Sequence, residues 1–64
     1  MKFIEITDIA CGGMTKRIIN TDNIKMIDRG YLEHSKCGLI HTYEGGDYTT
    51  KESYEELKNM VMTK

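Results

Sequence analysis

The chain has 64 residues, 39% apolar and 30% charged, with a formal net charge of −1 and no proline or tryptophan. That length allows one domain spanning 1–64, which buries only about 60% of its unfolded surface and leaves little material for a large catalytic cleft. No run of about 20 apolar residues is present to cross a membrane. The start, Met1-Lys2-Phe3-Ile4-Glu5, puts an acid where an export signal needs an apolar stretch, so a cytoplasmic location is expected.

From Lys2 to Ile9, Ile4 and Ile6 fall on one face of a period-two pattern and Phe3 and Ile9 on the other, which reads as a strand. Ala10-Cys11-Gly12-Gly13-Met14 breaks it with paired glycines suited to a tight turn. Lys16 to Asn20 reads as a second strand, returning antiparallel to the first. Thr21-Asp22-Asn23 has turn chemistry, because short polar side chains bond the local backbone. Ile24 to Arg29 follows as a third strand, and Gly30 to Lys36 as a polar loop.

Cys37 to Tyr43 alternates, with Cys37, Leu39, His41 and Tyr43 on one side and Ile40 and Thr42 on the other. Glu44-Gly45-Gly46-Asp47 signals a hairpin whose adjacent glycines suit positive φ. Tyr48 to Thr50 is then the returning strand, its aromatic ring expected against Thr42 or Tyr43. Ser53-Tyr54-Glu55-Glu56 fits a capping box, in which serine and glutamate each satisfy a free N–H of a helix's first turn. Glu55 and Glu56 at the start and Lys64 at the end complement the helix dipole. Tyr54, Leu57 and Val61, with Met60 beside them, make an apolar stripe, so a helix is expected over about 54–62.

The fold class is therefore α+β: a small antiparallel sheet of about five strands followed by one C-terminal helix, β-β-β-β-β-α. One short helix cannot cover both faces of such a sheet. By alternation, Phe3, Ile9, Ile18, Ile27 and Ile40 cannot all share a face with Ile4, Ile6, Ile19 and Ile24. Either the sheet curls into a small barrel or a second copy covers the other face, which motivates a homo-oligomer, a dimer or higher.

Candidate chemistry is thin. His34, Cys37 and His41, with Cys11, supply the residue types of a Cys2His2 zinc site. On one strand, however, Cys37 and His41 stand about 13 Å apart at 3.3 Å per residue, too far for one metal, so none is expected. A nucleophilic Cys11 or Cys37 would need an electropositive pocket or a helix N-terminus, and no catalytic set or cofactor is expected. Gly12-Gly13 lacks the lysine, the third glycine and the following helix of a phosphate loop. Lys16, Arg17, Lys25 and Arg29 could line one edge, with Tyr31 and Tyr43 for stacking, as a partner or nucleic-acid surface.

Two resemblances follow. The features Ile19-Asn20-x-Asp22-x-Ile24-x-x-Ile27, Gly46-x-Tyr48 and Lys51-Glu52-Ser53-x-Glu55-Glu56-Leu57 with Val61 resemble the small FlbD family of flagellar and swarming-motility proteins. That resemblance implies a short cytoplasmic protein without catalytic residues, of a kind also found in mobile elements. The loop from Asp28 to Lys36 and the turn from Ala10 to Met14 depart from that family. The features Asp22-x-Ile24-x-x-Ile27, His41-Thr42, Tyr48-x-Thr50 and Ser53 with Leu57 are more loosely similar to half of a LytTR-type DNA-binding domain. The leading expectation is a non-enzymatic interaction module that binds and modulates a protein partner, such as a phage- or mobile-element-encoded inhibitor; a DNA-binding regulator is the alternative.

Overall fold

In the computed structural model, which describes residues 2–32 and 34–63 (without the Cys11 side chain), five strands precede one helix. They are β1 (Phe3–Asp8), β2 (Thr15–Asn20), β3 (Ile24–Leu32), β4 (Ser35–Thr42), β5 (Asp47–Thr50) and α1 (Tyr54–Met62), with short 3-10 turns at Ala10–Gly12 and Thr21–Asn23. All pairings are antiparallel, and the sheet order is β2-β1-β5-β4-β3. The expected α+β sheet-then-helix order is the one observed.

The sheet has to roll. Five strands laid flat would hold β2 and β3 about 19 Å apart at 4.8 Å per strand. Yet these outermost strands are consecutive, joined only by the Thr21–Asn23 turn, which at about 2 Å per residue reaches about 8 Å. They therefore meet at that end without forming a ladder. Asn20 caps the turn by accepting from the Asp22 N–H at 2.9 Å. Asn23 then ties it to the β4–β5 hairpin, donating to Glu44 O at 2.7 Å and accepting from Glu44 N at 3.0 Å.

Rolling puts Ile4, Ile6, Ile19, Ile24, Ile27 and Ile40 in one core with Tyr48, Leu57, Met60 and Val61. The expectation that Phe3, Ile9, Ile18, Ile27 and Ile40 cannot all share a face with Ile4, Ile6, Ile19 and Ile24 holds, but Ile27 and Ile40 do join that face. An irregularity between Ile24 and Met26 shifts the register, so two residues three apart both face inward. Phe3 and Ile18 do remain on the outer face, 57% and 69% exposed. Only part of the apolar surplus is left to cover.

Two further expectations are overturned. Gly30 to Lys36 is not a loop: β3 and β4 continue through it, pairing Gly30 with Cys37, Tyr31 with Lys36 and Leu32 with Ser35. The hairpin tip carries no glycine, and His34 takes a φ of 68°, a left-handed conformation that the residue type does not advertise. Tyr48 pairs with Ile40, not with Thr42 or Tyr43, because Gly45 and Gly46, both at positive φ, make a longer turn.

The helix begins as expected. Ser53 Oγ accepts from Glu56 N and Glu56 Oε1 accepts from Ser53 N, closing the capping box. Its far end is held differently. Lys64 lies outside the described residues, and the ammonium of Lys2 instead donates to the carbonyls of Met60, Val61 and Thr63. A cation at these free carbonyls suits the negative end of the helix dipole.

Candidate binding groove

Leu57, fully buried, is the contact that sets the helix on the sheet, and the sheet makes room for it at Gly38. The N-terminal turn of α1 then stands beside the far end of the β3–β4 hairpin. Between them lies a groove of about 450 Å³, its lining including Arg29, Tyr31, Lys36, Cys37, Tyr54 and Glu55. That volume is within the range of ligand-holding clefts.

Each wall has a local cause. Tyr31 and Lys36 are cross-strand partners, so their side chains share a face near the hairpin tip. Arg29, two residues before Tyr31, stands on that same face. Its guanidinium donates to Glu55 Oε1 at 2.9 Å and lies 4.8 Å from the centroid of the Tyr54 ring. Both partners are solvent-exposed, so the ion pair adds little stability, and the stacking adds about 0.5–1 kcal/mol. The pairing orients Arg29 along the groove. Among the described residues Tyr31 has no such tether, and it is 74% exposed. Cys37 is buried at the wall.

Of the six residues singled out in sequence, the structure brings two together here, Arg29 and Tyr31. Lys16 and Arg17 are on β2, at the opposite end of the strand order from Lys25 and Arg29, so the four cations do not line one edge. Lys16 donates to Thr7 Oγ1 at 3.1 Å. Arg17 donates to Asp8 Oδ2 at 2.8 Å and lies 5.8 Å from the Tyr48 centroid. Lys25 is exposed at the register irregularity of β3, and Tyr43 is exposed past the end of β4. Tyr43 is seven residues along from Lys36, about 23 Å at 3.3 Å per residue, so it does not reach the groove.

Lys36 and Tyr54 were missed. Lys36 fell within the stretch read as loop, and only the continued ladder places it beside Tyr31. Tyr54 counted as part of the apolar stripe, although its ring faces a guanidinium.

Of the zinc-type residues, His41 takes other partners. His41 sits between two carboxylates, its Nε2 3.1 Å from Asp28 and its Nδ1 3.2 Å from Asp47. His34 is at the hairpin tip, and the Cys11 side chain is outside the described portion. Among the described residues no three His, Cys, Asp or Glu side chains group as metal ligands do.

A polar cluster braces the other side of the sheet. Glu52 accepts from Thr7 N at 2.8 Å and from Thr7 Oγ1 at 2.9 Å. Burial alone would raise its pKa, but the Thr7 bonds, its own N–H and nearby Lys16 together hold it below the usual carboxylate range. Asp8 is also held low, first by the Ala10 N–H at 2.9 Å and then by Arg17.

No helix among the described residues is long and apolar enough to cross a membrane. Comparison with family models, curated proteins and solved structures finds no match to this chain.

Proposed function

We propose that the protein is a non-enzymatic interaction module of the cytoplasm that holds an acidic, extended segment of a partner protein in the groove beside α1. The observation that carries this reading is the meeting of Tyr31, Tyr54, Arg29 and Lys36 around one cleft. Tyrosine and arginine are the residue types that most often dominate binding energy at protein interfaces. Tyr31 offers a broad, exposed ring with few rotatable bonds. Arg29 and Lys36 against the single carboxylate of Glu55 leave the cleft positive, which favours acidic side chains. By occupying such a segment the module would modulate its partner, the mode of action of a phage- or mobile-element-encoded inhibitor. Cys37, the nucleophile at the wall, is buried, and His41 is engaged with Asp28 and Asp47, which weighs against covalent catalysis.

The test compares proteins captured from bacterial lysate by the wild-type chain, Tyr31→Ala and Lys36→Glu. A protein retained by the wild type and lost from both variants supports the reading. A captured set that neither variant changes overturns docking in this groove.

The same side chains favour one second reading, a nucleic-acid-binding regulator of LytTR-like character, since two rings and two cations in one cleft suit stacked bases and phosphates. Its affinity would then fall linearly in log salt, with a slope near −0.9 per phosphate neutralised on duplex DNA. No binding at about 50 mM salt would retire it.

A further inference from the structure

The hydrogen-bond parity of β2 leaves one edge of the sheet ready for a strand. Thr21 donates its N–H to Lys2 O at 2.9 Å, extending the β1–β2 ladder by one directly opposed pair. In an antiparallel ladder such hydrogen-bonded pairs alternate. The register then makes Ile4 with Ile19, Ile6 with Arg17 and Asp8 with Thr15 the bonded pairs. It follows that the N–H and C=O groups of Lys16 and Ile18 and the N–H of Asn20 point away from β1, where β2 has no hydrogen-bonded neighbour among the described strands, while the Asn20 carbonyl opens the Thr21–Asn23 turn.

We propose that this edge binds a second copy of the same chain, β2 against β2 antiparallel, with the two Ile18 residues on the twofold axis. In that register Ile18 faces Ile18 of the partner subunit, and Lys16 and Asn20 face each other twice. Every outward-pointing residue meets an outward-pointing residue, so the two Ile18 residues exchange backbone bonds and each Asn20 N–H faces the C=O of the partner's Lys16. A one-residue slip sets outward groups against inward ones, and centring on Arg17 opposes two guanidiniums. The charges permit the chosen register. Lys16 is held by Thr7 beside Glu52, and Arg17 by Asp8, so no unpaired like charges meet. Phe3 and Ile18, exposed on one face of adjacent strands, would then continue across the axis as a single apolar band.

The other outermost strand is defended. β3 carries the irregularity between Ile24 and Met26, a device that spoils edge pairing. One edge carries an irregularity that spoils pairing, and the other is a regular strand. The result is a closed twofold dimer rather than an open fibre. The groove beside α1, at the β3 end of the sheet order, stays outside this contact.

The test is sedimentation equilibrium of the full chain together with amide hydrogen exchange read residue by residue. The expected result is a species of two chains. The amides of Ile18 and Asn20 should become slower to exchange as protein concentration rises. Ile18→Lys, which sets two ammonium groups on the axis, should give a monomer with an unchanged circular dichroism spectrum. Arg17→Ala, one position away but inward-facing, should remain a dimer. A wild-type chain that is monomeric from micromolar to millimolar concentration overturns the proposal. A dimer whose Ile18 and Asn20 amides exchange freely, or that survives Ile18→Lys, overturns it too. Capture of a groove partner by the Ile18→Lys monomer leaves the functional reading independent of this outcome.

Discussion

A methyl group at position 38 would stand 2.2 Å from Leu57 Cδ1, 2.8 Å from the Glu52 carbonyl and 2.9 Å from Thr50 Oγ1. Leucine could turn aside, but the Glu52 carbonyl is backbone at the entry to the helix and already accepts from Thr50 Oγ1 at 2.8 Å. Gly38→Ala should therefore destabilise the fold by about 1–3 kcal/mol, the usual cost of overpacking a tight core. Urea unfolding checks it, with Gly13→Ala, where nothing lies within 4 Å, as the control that should change little. The functional consequence is positional. Lifting α1 off Gly38 would move Tyr54 and widen the groove. A glycine inside a strand was a visible signal of close backbone approach, but sequence could not say what approaches.

For the helix, local and tertiary signals agree. Ser53→Ala should cost about 0.5–2 kcal/mol, since it strips the Glu56 N–H of its acceptor. Leu57→Ala should cost more, about 2–5 kcal/mol, because Leu57 is fully buried in the core cluster. Glu56→Ala removes only the bond to Ser53 N and should be the mildest of the three. Thermal melts give the ranking, and Leu57→Ala no worse than Glu56→Ala would contradict the packing described. Five residues of the segment Lys51-Glu52-Ser53-x-Glu55-Glu56-Leu57 have such structural roles. Glu52 braces Thr7, Ser53 and Glu56 cap, Glu55 meets Arg29 and Leu57 fills the core.

Across the whole molecule the two depressed carboxylates lie where β1, β2 and the β5–α1 connection meet. Asp8 joins β1 to β2 through Arg17, and Glu52 joins the connection to β1 through Thr7. A carboxyl whose folded pKa lies below its unfolded value gives stability that is fully present above the unfolded pKa, near 4. That stability is lost as pH falls through the lower, folded pKa. Stability should accordingly be level from neutral pH to about 5 and fall below about 4. Thr7→Val, which keeps the shape but removes a hydroxyl bond to Glu52, should shrink the difference in urea midpoint between pH 7 and pH 3. An unchanged difference would mean that the Thr7 hydroxyl contributes nothing to it.

Sequence by itself determined what depends on neighbours along the chain. The capping box fixes the helix start within four residues, Gly45 and Gly46 supply the positive φ of their turn, and period-two alternation marks β1 and β4. What remained hidden depends on partners far apart. β3 and β4 extend through a polar stretch because each supplies the other's hydrogen bonds, and His34 at the tip carries no local turn signal. Lys2 reaches the helix end from 58 residues away, which no window on the sequence contains. The groove belongs to this second class. Arg29 and Tyr31 were legible as a cation and a ring, but Lys36 and Tyr54 join them only once the ladder is in register and Leu57 has seated the helix on Gly38. Propensity and capping act over one turn of chain, whereas register and packing are set by surfaces that meet only when the sheet rolls.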